Sequence, residues 1–103
     1  MSLSPQQIIN TINELQENFN RSGLTKQQIS TDLNISSTKL EHLLTLTQNS
    51  ISDPWILRNY LIEKVRENGR EPIPFTSLVG DYHRYWFLNS HAIDSREITP
   101  GDN

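Results

Sequence analysis

Cysteine is missing from this 103-residue chain, which removes disulfides, thiol chemistry and cysteine-ligated zinc. Long apolar runs are missing as well. No stretch approaches the roughly 20 residues needed to span a bilayer, so no membrane partner is expected. The N-terminus carries no basic-then-apolar signal region, and a cytoplasmic protein is the simplest expectation. There is no glycine-rich phosphate loop, nucleophile motif, internal repeat or low-complexity block. His42, His83 and His91 stand too far apart in sequence to read as a ligand cluster. Asp81 and His83 superficially suggest acid–base work, but no third partner or metal spacing accompanies them. The chain is therefore expected to be no enzyme, with no catalytic residue, cofactor or metal. Positive charge is scarce, the formal net charge being −3. This weighs against a phosphate-rich partner without excluding one, because the sign of the contacting face decides. What is present, 34% hydrophobic and 20% charged residues, suits a single domain with one modest core.

Leu24 to Leu44 organises the rest. Thr25 and Gln28 form a capping box, and Leu24 and Ile29 are spaced as a hydrophobic staple. Ile29 and Leu33 then share one helical face. Asn34 stands where the chain must leave that helix, and asparagine accepts a left-handed turn. Ile35 and Ser36 repeat the device: Ser36 caps, while Ile35 pairs with Leu40. Leu40, Leu43 and Leu44 carry the second apolar face, and Ser37, Thr38, Lys39, Glu41 and His42 are assigned to the outer one. The stretch predicts two short helices joined by a tight turn.

This order of residues resembles the helix-turn-helix of lambda-repressor and Cro-type regulators. Ile29, Leu33, Ile35, Leu40 and Leu43 match its buried positions, and Thr25 and Ser36 its caps. The chain departs where Ser30 replaces the usual small residue, most often alanine, and where Asn34 replaces glycine. The resemblance implies that Ser36, Ser37, Thr38, Lys39, Glu41 and His42 face the major groove. It also implies that Lys26 and Gln27 meet the DNA backbone.

On either side the chain reads as helical to residue 69. Ser4-Pro5 opens a helix whose apolar face is Ile8, Ile12, Leu15 and Phe19, with Ile9 at its edge; Gly23 closes it. This helix is expected to lie across the two motif helices. Thr47 to Ser50 is polar turn material. Asp53 is expected to cap a further helix with Pro54 at its first position, ending at Asn68-Gly69. Trp55, Ile56, Leu57, Tyr60, Leu61, Ile62 and Val65 make that helix wide enough to need cover from the C-terminal segment or a second subunit. Pro72 and Pro74 forbid helix from Arg70 to Phe75. Residues 70–94 form an aromatic C-terminal extension, predicted as a short helix from Thr76 followed by an extended segment, with a hairpin about Gly80-Asp81 as the alternative. The run Tyr82 to Phe87 is expected to serve as core and interface. Residues 95–103 read as a flexible tail.

Asp53 to Lys64 together with Pro74 to Leu88 resembles a family of small bacterial proteins, largely Gram-positive, known as a domain of unknown function. That resemblance implies a bacterial, helix-turn-helix-related protein and no activity. The expectation is thus a mainly α, lambda-repressor-like single domain over 1–103, with its helical core at 4–69. It would bind double-stranded DNA as a homodimeric transcriptional regulator. The alternative is a protein-interaction module derived from the same motif that has lost DNA binding.

Overall fold

Ser4 accepts from the Gln7 amide while Gln7 returns the bond to the Ser4 amide, and Pro5 occupies the first turn, so α1 (Pro5–Ser22) begins where expected. Gly23 ends it in the left-handed conformation, at φ 72°. The computed structural model describes residues 3–48, 50–80, 82–85 and 88–101. Its helices continue as α2 (Lys26–Leu33), α3 (Ser37–Leu44), α4 (Asp53–Glu67) and α5 (Ser90–Ser95), with one 3-10 turn at Tyr82–Arg84. The fold is mainly helical, without a strand among the described residues. No described helix is long and apolar enough to cross a membrane.

The core gathers Leu15 of α1, Ile29 and Leu33 of α2, Leu40, Leu43 and Leu44 of α3, and Trp55, Ile56, Leu57, Tyr60 and Leu61 of α4. Contrary to expectation, α1 does not lie mainly across α2 and α3. It runs chiefly along α4 and touches α3 more lightly. Its buried face is also rotated: Ile8 stays at the surface, whereas Thr11 and Asn18 are fully buried. Asn18 explains the rotation. Its amide nitrogen donates to Ile73 O at 3.0 Å and its oxygen accepts from Ile73 N at 2.9 Å. A single side chain thereby satisfies both backbone groups of Ile73, which stands between Pro72 and Pro74 with no ladder to pair with.

The C-terminal third covers α4. Tyr82 and Tyr85 rings tilt against Trp55 at 5.7 and 5.9 Å, and Arg58 lies between the Trp55 and Phe75 rings at 5.3 and 5.5 Å. Leu78, Leu88 and Ile93 complete the cover. Of the two coverings expected for α4, the same chain supplies this one. The short helix expected from Thr76 is absent. Residues 76–78 and 80 are bends instead, held by Thr76 bonding to Glu14 and by Arg58 Nε donating to Leu78 O at 2.7 Å. The hairpin alternative finds no strands among the described residues. Asn49, Asp81, Trp86 and Phe87, all read from the sequence above, lie outside the described residues.

Two expectations about the ends of elements change. Asp53 does not cap α4. It is the first residue of the helix, behind Ser52, which makes no side-chain cap bond, and its carboxylate turns inward. The segment expected to be a flexible tail is fastened as far as Thr99, with Ile98 packed on the core and Thr99 bonded to Asp53.

Candidate nucleic-acid interface

Two side-chain caps and one left-handed residue define the α2–turn–α3 unit. Thr25 accepts from the Gln28 amide at 3.1 Å while Gln28 bonds back to the Thr25 amide. Asn34 takes φ 56°, ψ 49°, and Ser36 accepts from the Lys39 amide at 3.0 Å. Ile29, Leu40 and Leu43 are wholly buried, and Leu24 and Ile35 pack against the core as half-buried staples. The unit presents Lys26, Gln27, Ser36, Ser37, Thr38 and Glu41 on the exposed side, with His42 half-buried. Thr45, just past the end of α3, extends the exposed stripe through the i, i+4 spacing from Glu41, and its hydroxyl bonds to Glu41 O at 2.8 Å.

Lys39 is the correction. It does not stand on the outer face but is buried, at 1% exposure, as is Asp53 at 1%. Its ammonium lies 3.3 Å from Asp53 Oδ2 and 3.1 Å from Thr99 Oγ1. Thr99 closes the group by donating its hydroxyl to Asp53 Oδ2 at 2.6 Å and its amide to Asp53 Oδ1 at 3.2 Å. The sequence held a signal for this. At 100° per residue Lys39 lies about 40° of arc from Leu43, on the border of the apolar face rather than opposite it. Its partner, however, comes from 14 positions further along and the third member from the C-terminal segment, which no local spacing reveals.

Electrostatically the outer face is near neutral. Lys26 pairs with Glu41 at 2.6 Å, both side chains about half exposed, so the cation expected at the DNA backbone is shared with the acid on α3. Ser36 is exposed, but its hydroxyl oxygen serves the cap. The polar hydrogen-bonding groups left toward solvent include Gln27, Ser37 and Thr38.

The aromatic extension offers a different arrangement from the Asp81–His83 pairing considered in the sequence. His83 Nε2 lies 2.8 Å from Asp94 Oδ2, and the Tyr82 hydroxyl donates to the same carboxylate. These bonds hold the Asp94 carboxyl below its ordinary range, Tyr82 first and His83 second. Both His83 and Asp94 are half exposed, and the Tyr82 ring stacks on His83 at 4.3 Å. Among the described residues no three His, Asp or Glu side chains converge as a metal site would require.

No curated protein and no solved structure matches the chain. Residues 1–89, by contrast, match a bacterial protein family, and they take in α1 to α4 and the aromatic extension up to the loop before α5. The chain belongs to that family, DUF2316, described as an uncharacterized protein conserved in bacteria.

Proposed function

We propose that α2 and α3 form a lambda-repressor-like helix-turn-helix and that the protein is a cytoplasmic, sequence-specific DNA-binding regulator. The exposure pattern of α3 carries this reading: Leu40, Leu43 and Leu44 are buried while Ser37, Thr38 and Glu41 are exposed on a helix entered through Asn34 and Ser36. Ser37 and Thr38 sit at the end of α3 that meets base edges when such a helix lies in a major groove. Gln27 and Lys26, at the start of α2, would meet a backbone phosphate once Lys26 leaves Glu41. Lys39 has no part in this reading.

An eight-residue α3 is about 12 Å long at the rise of an α-helix and reaches only a few base pairs. Sequence specificity therefore calls for a second copy on a second half-site, and the regulator is read as a homodimer. The wide face of α4 does not call for a second subunit, because the Tyr82–Tyr85 segment, Leu78 and Leu88 of the same chain pack on it.

Selection of duplexes from a random DNA pool at low salt tests the proposal. Enrichment of a two-fold symmetric sequence supports it. Failure to enrich any duplex under conditions where phosphate contacts are strongest overturns it. The second reading, a protein-interaction module on the same scaffold, is favoured by one pair of facts: the buried Lys39 and the Lys26–Glu41 pair leave little net positive charge on the face.

A further inference from the structure

A cleft of about 430 Å³ opens between the start of α1, the α3–α4 connection and the segment before α5. That volume falls within the roughly 300–1,000 Å³ typical of small-molecule sites. Its walls are built from Ile8, Leu46, Ile51, Trp55, Leu78 and Leu88. Among the described lining residues none is charged. Ile8 and Ile51, 36% and 50% exposed, are two of the few large apolar side chains that the fold leaves in solvent, and both are here.

One further observation distinguishes this cleft from an ordinary surface hollow. Gln48, half-buried among the lining residues, has a buried amide oxygen without a hydrogen-bond partner. A stranded acceptor is an unmet cost that a donor brought by a ligand would relieve.

We infer that this cleft is a binding site for a small, uncharged, mainly apolar organic molecule carrying one hydrogen-bond donor. The apolar walls supply affinity by burial, and the absence of lining charge disfavours anions and cations, which would lose their hydration without a counter-charge. Gln48 supplies the polar contact, its terminal amide turning about χ3 to meet the donor. The site is independent of the DNA reading and stands whether or not α3 meets a duplex.

The test uses the whole chain labelled with nitrogen-15 and titrated, without DNA, with indole and 2-naphthol as neutral donor-bearing probes. Their capped counterparts, 1-methylindole and 2-methoxynaphthalene, and the charged indole-3-acetate serve as comparisons. The expected result is saturable shifts of the amides of Ile8, Leu46, Gln48, Ile51 and Leu78. Affinity should fall about two- to tenfold on capping the donor, the worth of one hydrogen bond, and further for the anion. Ile51→Trp should block the cleft and abolish binding, and its helical circular dichroism should match the parent because Ile51 is half exposed. Gln48→Met should erase the difference between indole and 1-methylindole. If neither indole nor 2-naphthol shifts these amides, or indole binds Ile51→Trp as well as the parent, the site is overturned. Equal affinity for the anion would overturn the assigned ligand class.

Discussion

Lys39 is buried in an ion pair with Asp53 that Thr99 completes. Two charges taken out of water are each costly, and their attraction repays this only when the remaining lone pairs and protons are bonded. Thr99 meets that condition by serving both partners. Removing one partner would leave the other charge buried and alone, so Lys39→Ala and Asp53→Ala should each cost about 3–5 kcal/mol. Lys39→Met with Asp53→Leu should recover much of that loss. Urea unfolding of the four proteins measures both losses and the recovery; single losses below about 1 kcal/mol would place the pair in solvent. Any fall in DNA binding by Lys39→Ala must then be separated from this destabilisation. Tyr60 gives a second test at the same scale. Its hydroxyl donates to Asp32 Oδ2 at 2.5 Å, and burial, followed by that bond, raises its pKa well above the ordinary phenol value. The folded protein therefore keeps the phenol proton after the unfolded chain has lost it, and stability falls as pH rises above about 10. An ultraviolet titration should show a late ionisation step, above the ordinary phenol range, that tracks unfolding. Tyr60→Phe should lose that late step.

At the scale of elements, the helix entries were legible because each is a local device. Ser4 with Gln7, Thr25 with Gln28, Ser36 alone, and left-handed Gly23 and Asn34 all act within four residues. Removing the Ser36 hydroxyl with alanine should cost about 1 kcal/mol. Leu40, fully buried behind that cap, should cost about 2–5 kcal/mol as Leu40→Ala. Thermal unfolding with circular dichroism separates these from a value near zero, which would place Leu40 at the surface. The relative packing of the helices was less legible. The face of α1 was misjudged because Asn18 is polar by type yet buried by the Ile73 backbone it satisfies, 55 positions away. Asp53 looked like a cap because an acid before Pro54 usually is one; its inward turn depends on Lys39 and Thr99. The region after Pro74 was hardest. Its residues fit neither helical nor alternating spacing, and Arg58, Glu14 and Trp55 shape it from distant elements. For the candidate interface, Ser37, Thr38 and Glu41 follow from helical phase and Lys26 and Gln27 from the resemblance, whereas the Lys26–Glu41 pair depends on the crossing of α2 and α3.

For the whole molecule, the question is how the last dozen residues are tied to the family-matching body of the chain. α5 and the segment after it are held by Ile93 and Ile98 on the core, by Arg96 paired with Glu63, by Thr99 on Asp53, and by Asp94 beneath Tyr82 and His83. Two of these ties titrate in the same direction. Bonds from Tyr82 and then His83 lower the Asp94 pKa, and the bond from Arg96 lowers that of Glu63. A carboxyl whose folded pKa lies below its unfolded value stabilises the fold fully above the unfolded value, about pH 4, and loses that contribution as pH falls through the depressed one. The C-terminal clasp should therefore weaken in acid below about pH 4 and be intact at neutrality. Both carboxyls are open to solvent, so salt should damp the effect. Thermal midpoints from pH 7 down to pH 2 should fall most steeply for the parent. Asp94→Asn and Glu63→Gln should start lower at pH 7 and descend less, converging on the parent in acid. The combined variant should be flatter still, since Asp94 and Glu63 act through different partners. Hydrogen exchange at the Ile93 and Arg96 amides, bonded to Asn89 O and Ile93 O, reads the same release locally. Curves for the variants parallel to the parent throughout would mean that apolar packing of Ile93 and Ile98 alone holds the segment.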